Sequence, residues 1–156
     1  MSNYKLRKDL SINVYGRTLF RIEATKDITI HNVSKGDLGG YVESENNLYG
    51  NAWVYGNAKV YGNAEVYGDA RVYGNAWVYG DKIKNNKDFY NICNATYNIT
   101  LTPNFIKIGC QFHKKEEWFN FTDREIEAMD GLKAIHFWKK WKPILKAICD
   151  KNEEDV

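Results

Sequence analysis

Along residues 40–81, small apolar positions alternate with polar or aromatic ones, and the alternation restarts every six residues. Seven hexapeptides follow one another without a gap: GYVESE, NNLYGN, AWVYGN, AKVYGN, AEVYGD, ARVYGN and AWVYGD. Successive side chains of a strand point to opposite faces, so Ala52 and Val54 share one face while Trp53 and Tyr55 share the other. Gly56 and Asn57 accept positive φ and suit a corner. Each repeat therefore predicts a short strand and a corner. The inward set is Ala52, Val54, Ala58, Val60, Ala64, Val66, Ala70, Val72, Ala76 and Val78, all small, which implies a narrow core. A triangular coil of three hexapeptides per turn satisfies it. The expected fold class is mainly β, with a short left-handed parallel β-helix (a hexapeptide solenoid) at its centre. A series of hairpins competes with it, since Tyr-Gly-Asn-Ala can turn. A meander, however, does not require small residues at both inward positions of every strand.

An eighteen-residue turn sets a register. It puts Trp53 against Arg71, Lys59 against Trp77, and Tyr41 against Lys59. The tyrosines pair as Tyr49–Tyr67, Tyr55–Tyr73 and Tyr61–Tyr79, and the corners as Asn51–Asp69, Asn57–Asn75 and Asn63–Asp81. Neighbouring layers ~4.8 Å apart allow aromatic stacking and a cation–π contact of Arg71 with Trp53. Seven repeats give little over two turns with open strand edges, so the flanks are expected to cap them.

The flanks divide the chain into residues 1–39, an N-terminal β cap; 40–81, the repeats; and 82–156, a small C-terminal α+β appendage. Tyr4–Lys8, Ser11–Val14, Thr18–Ala24 and Ile28–Ile30 read as strands. Lys82–Asp88 reads as a polar, mobile connector. Tyr97–Leu101 and Phe105–Cys110 read as a hairpin turning at Pro103-Asn104. Thr122-Asp123-Arg124-Glu125 fits a capping box opening a helix that Gly131 can close. Helical spacing resumes from Leu132 to about Cys149, with Pro143 expected to kink or restart it.

Gly16 to Ala24 (GRTLFRIEA), Gly36 to Glu45 (GDLGGYVESE) with Asn47-Leu48, and the YGNA repeats resemble a widespread group of phage and prophage hexapeptide-repeat proteins. The stretch from Ile108-Gly109-Cys110 to Glu117-Trp118 is similar to the tail found on many of them. The resemblance covers most of the chain and implies a phage-encoded, cytosolic solenoid protein. It carries no family-wide activity.

Composition narrows the function classes. The 156 residues are 44% hydrophobic, which excludes a disordered chain, and no apolar run is long enough to span a membrane. Three cysteines, Cys93, Cys110 and Cys149, form no even framework and favour a reducing compartment, here the host cytoplasm. Residues 1–39 carry seven basic and four acidic groups, 40–81 two and five, and 82–156 thirteen and eleven. None of these imbalances is large enough to point to a nucleic acid polymer as partner.

Hexapeptide acyltransferases need a general base beside their cleft, and carbonic anhydrases of the same fold need three His on zinc. His31, His113 and His136 all lie outside the repeats, so neither activity is expected. Cys110 and His113 form C-x-x-H without a telling fourth ligand, and are read as a strand cysteine and a surface histidine, with no metal and no cofactor. Lys139, Lys140, Lys142 and Lys146 beside Trp138 and Trp141 read as a solvated helix face over two core tryptophans. The outward aromatic arrays carry the functional expectation. Trp53, Tyr55, Tyr61, Tyr73, Trp77 and Tyr79, interleaved with Lys59 and Arg71, form a stacking platform, with Arg17 or Arg21 as further phosphate partners. The simpler reading of the same arrays is burial by self-association or beneath the flanks.

The reading is a non-enzymatic, homo-oligomeric binding protein, dimer or trimer, that inhibits host antiviral defence by sequestering a nucleotide signal or masking a host protein. A structural scaffold and an acyltransferase are its rivals.

Overall fold

A computed structural model describes residues 2–93 and 95–154. The chain opens with β1 (Tyr4–Val14) and β2 (Arg17–Ala24), an antiparallel hairpin. Its tight turn needs positive φ at Tyr15 (49°) and Gly16 (80°). β1 is one strand with a register shift between Arg7 and Ser11, where the sequence suggests two. β3 (Leu38–Val42) pairs antiparallel with β2.

The repeats contribute β4 (Trp53–Val54), β5 (Lys59–Tyr61), β6 (Glu65–Val66), β7 (Arg71–Val72) and β8 (Trp77–Tyr79), followed by β9 (Lys82–Ile83). These pair in parallel: Tyr41 with Lys59, Trp53 with Arg71, Lys59 with Trp77, and Glu65 with Lys82. The resulting sheets are β1-β2-β3-β5-β8, the pair β4-β7 and the pair β6-β9.

The expectation of a left-handed parallel β-helix, a β-solenoid, is corrected here. The strands are two or three residues long and fall into separate small sheets, none of them closed. The largest sheet is mixed, because antiparallel β1 and β2 continue it beyond β3. Positive φ at Gly50, Gly56, Gly62, Gly68, Gly74 and Gly80 cuts each strand short and turns the chain, so no ladder grows long. The fold is mainly β, with mixed and antiparallel sheets and a C-terminal helix.

The inward residues behave as their size requires. Ala58, Ala64, Ala70, Ala76, Val60, Val66, Val72 and Val78 are fully buried. They share one core with Tyr4, Ile22, Ile28, Val33 and Phe89 from the flanks. Tyr49 and Tyr67 stack at 4.8 Å, Tyr61 and Tyr79 lie 5.1 Å apart, and Asn51 Nδ2 donates to Asp69 Oδ1 at 3.1 Å. Asp81 does not meet Asn63 in a corner ladder. It is buried and accepts from Thr102 Oγ1, from the Asn104 backbone N–H (2.9 Å) and from Asn104 Nδ2 (2.7 Å).

Two further flank expectations change. Ile28–Ile30 is not a strand: Thr29–His31 forms a 3₁₀ turn that ends with Asn32 in the left-handed region. Lys82–Asp88 is not a loose connector, because β9 pairs with β6 and Ile83 is fully buried in the repeat core.

β10 (Tyr90–Ile92), β11 (Ile99–Leu101), β12 (Phe105–Ile108) and β13 (Gln111–Lys114) form an antiparallel sheet. α1 (Lys115–Asn120) and α2 (Asp123–Glu154) pack on it around Trp118, Phe137, Trp138 and Leu145. The capping box forms: Thr122 N–H donates to Glu125 Oε2 at 2.7 Å and Glu125 N–H to Thr122 Oγ1 at 3.2 Å. α2 breaks at Asp130 and Gly131, where the glycine's φ is 66°, whereas the backbone at Pro143 stays helical. No helix is long and apolar enough to cross a membrane among the described residues.

Candidate functional site: an aromatic and basic cleft

β5 and β8 lie side by side in parallel register, with Val60 and Val78 turned into the core. Alternation then sends Lys59 and Tyr61, and Trp77 and Tyr79, to the opposite face. Three surrounding segments convert this face into a cleft of about 430 Å³. The β1–β2 turn brings Tyr15 and Arg17, β12 brings Lys107, and β13 brings Gln111, Phe112 and His113. Asp81 helps to fix the third wall, because its three hydrogen bonds hold the start of the β11–β12 turn against the end of the repeats.

The cleft is lined by rings in contact. Tyr15 lies 5.8 Å from Trp77, Tyr61 6.1 Å from Trp77, and Tyr79 5.9 Å from Phe112, which stacks on Phe105 at 4.8 Å. Tyr15 is 78% exposed, a ring presented to solvent at the cleft's lip. Tyr61 is buried at its base, and burial first, then the neighbouring Tyr15 and Tyr79, pushes its hydroxyl up to about 12.

Cations overlie these rings. Lys107 Nζ sits 4.8 Å and Lys59 Nζ 5.1 Å from the Trp77 centroid, and the Arg17 guanidinium sits 5.6 Å from that of Tyr79. Arg17 is balanced by Glu43, at 3.0 and 3.1 Å. Glu43 is itself fixed by the Gly62 N–H at 2.6 Å. The lysines are different. Lys59 donates to the Asn57 carbonyl and Lys107 to the Gly109 carbonyl, and among the described residues neither has a carboxylate within ion-pair distance. Burial lowers the pKa of both, and the positive charge of Lys59 lowers that of Lys107 further, while Cys110 partly opposes this. Two partly buried ammonium groups thus share one ring with no compensating negative charge.

Sequence reasoning named Arg17, Lys59, Tyr61, Trp77 and Tyr79, and the structure gathers these five on one face. The remaining candidates lie elsewhere. Trp53 is only 1% exposed, in the same core cluster as Tyr4, Ile28 and Val33 from the N-terminal segment. No platform with Arg71 forms, although the two backbones pair as expected. Arg71 is exposed, with its N–H donating to Asn86 Oδ1. Tyr55 is half-buried: its hydroxyl donates to the His31 carbonyl at 3.1 Å, and burial raises its pKa. Tyr73 lies against Phe89 at 5.3 Å and is 46% exposed. Arg21 covers Tyr41 at 4.4 Å and donates to the Gly39 carbonyl at 2.9 Å, which ties it to the strand edge.

Tyr15, Lys107, Phe112 and His113 were not named from sequence as members of this face. The only available signal for Tyr15 was the Tyr-Gly-Arg turn, which marks an exposed tip. Nothing marks Lys107 or Phe112, since they reach the cleft through a sheet with no repeat. His113 interacts with Gln111 Oε1 at 3.0 Å and lies 3.4 Å from Glu117, while Cys110 is exposed nearby. Among the described residues no three His, Cys, Asp or Glu side chains converge as a metal-holding group would.

No protein-family model matches the chain, and none of the curated proteins is significantly similar to it.

Proposed function

We propose that the chain is a non-enzymatic binding protein whose aromatic and basic cleft holds a nucleotide. The observation that carries this reading is the Lys59–Lys107 pair beside Trp77. An anion held beside the Trp77 ring supplies the countercharge that both ammonium groups lack. The exposed ring of Tyr15, beside the half-buried Trp77, gives a base a flat surface, and stacking of this kind contributes about 1–3 kcal/mol per base. Arg17, already neutralised by Glu43, aligns Tyr79 and adds little net charge. In a phage-encoded protein, such binding would serve to sequester a host signalling nucleotide.

Calorimetric titration of AMP, adenosine and inorganic phosphate into the full chain tests this. AMP should bind at 1:1, at least tenfold tighter than adenosine, with affinity falling as salt rises. Lys107→Ala should weaken AMP by roughly tenfold, about the worth of one hydrogen bond to a charged group. AMP recovered after incubation should be chemically intact. Equal binding of AMP and adenosine, or no effect of Lys107→Ala, would remove the anion from the account.

A further inference from the structure

Behind the turn that carries Cys110 and Gln111 lies a second, separate cavity of about 240 Å³, between the β10–β13 sheet and the break in α2. Its walls are the rings of Tyr97, Trp118, Phe137 and Trp138, with Ile126 and Met129. The rings brace one another: Trp118 lies 5.2 Å from Trp138, and Tyr97 meets Phe137 edge-on at 4.9 Å. An apolar cavity of about 150 Å³ holds a benzene ring, so this one admits a bicyclic ring system.

One carboxylate, that of Asp130, lines it. The α2 break at Asp130 and Gly131 turns Asp130 to the cavity, where its Oδ2 accepts from the Tyr97 hydroxyl. That bond, ahead of burial, pushes Tyr97 up to about 12. Oδ1 of Asp130 carries no hydrogen bond among the described residues, so one strong acceptor remains at the lip of an apolar chamber. A cation gains little there. Lys133 Nζ stands 5.2 Å from the Tyr97 ring, and Lys107 is bonded to the carbonyl of Gly109, itself part of the wall. Asp130 is itself exposed, so water already screens its charge.

We infer that this cavity is a binding site for a small, neutral, planar heteroaromatic molecule that donates one N–H to Asp130. The ring system fills the aromatic chamber and the N–H meets Oδ1. The inference is independent of the nucleotide reading, since the cavity shares only the Cys110–Gln111 turn with the cleft.

Indole is the probe, titrated into the full chain and followed through the methyl resonance of ¹³C-labelled Met129. Saturable 1:1 binding is expected. Benzothiophene, of the same shape without the N–H, should bind about tenfold more weakly, the factor set by one hydrogen bond to a carboxylate. Ala134→Phe, which projects a ring from the cavity wall, should abolish binding, and Asp130→Ala should remove the preference for indole over benzothiophene. Absence of saturable indole binding to the wild-type chain overturns the inference. So does equal binding of the two probes, or binding unchanged in both variants. If Ala134→Phe fails to fold, the Asp130→Ala comparison decides alone. Tighter binding of tyramine than of indole would assign the site to cations and also overturn it.

Discussion

Replacing Asp81 by Ala should uncouple the repeats from the sheet that completes the cleft. Asp81 is 1% exposed and accepts three hydrogen bonds, from Thr102 and twice from Asn104. No cation pairs with it among the described residues. Hydrogen bonds to a charged acceptor contribute about 1.5–3 kcal/mol each, but the three do not add. Asn104 is exposed, so its freed groups regain water. Thr102 is buried, and its hydroxyl keeps only a long contact, 3.4 Å, to the Phe105 carbonyl. Removing the carboxylate also removes the cost of burying it. Together these terms give a net loss of about 2–3 kcal/mol. Urea denaturation followed by circular dichroism reads this loss, and AMP affinity should fall in the same variant as the third wall of the cleft loosens. Thr102→Val combined with Asp81→Ala should show a coupling of about 1–2 kcal/mol in a double-mutant cycle. A loss under about 0.5 kcal/mol, or strict additivity of the two substitutions, would refute the reasoning.

Other outcomes follow from the core. Ala64→Leu should cost about 1–3 kcal/mol by overpacking a position with no exposed surface, and a neutral change in denaturation midpoint would contradict it. Trp53→Ala should destabilise by about 3–5 kcal/mol and leave the AMP affinity of the folded fraction unchanged, because Trp53 is core and not platform. His31 is buried, neither ring nitrogen makes a hydrogen bond of normal geometry, and desolvation holds its pKa below the ordinary 6.5. The nearby Asn51 backbone and Asp69 only partly oppose this. The unfolded chain then binds a proton more readily than the folded one. Stability should therefore be full above about pH 6.5 and decline as pH falls below it. His31→Phe should reduce the drop in melting temperature between pH 7.5 and 5.5, whereas parallel profiles would assign that drop to other groups.

The hexapeptide made the pairing legible. Small inward Ala and Val in the five repeats from Ala52 to Asp81 imply a narrow core with three repeats per turn, and Trp53–Arg71, Lys59–Trp77 and Tyr61–Tyr79 pair at the eighteen-residue spacing. It did not make the fold class legible, because a repeat describes only itself. That β1 and β2 extend the β3-β5-β8 sheet antiparallel is encoded in flanks with no period. The same blindness affected the site. Trp53 and Trp77 occupy equivalent positions in two AWVYG repeats, so alternation assigns both outward. What separates them is the cover: Ile28 and Val33 from the N-terminal segment are buried in the Trp53 cluster, while the flanks bring Tyr15 and Lys107 to the half-buried Trp77. Asp81 resembles the other corner Asn and Asp residues, and its separate role depends on Thr102 and Asn104, far along the chain.

The most direct test is an NMR titration of AMP into the ¹⁵N-labelled wild-type chain, read at its five indole N–H signals. The account predicts that Trp77 shifts in a saturable way and that the buried Trp53 stays fixed. A shift at Trp53 with Trp77 unmoved, or no saturable shift at all, would contradict it.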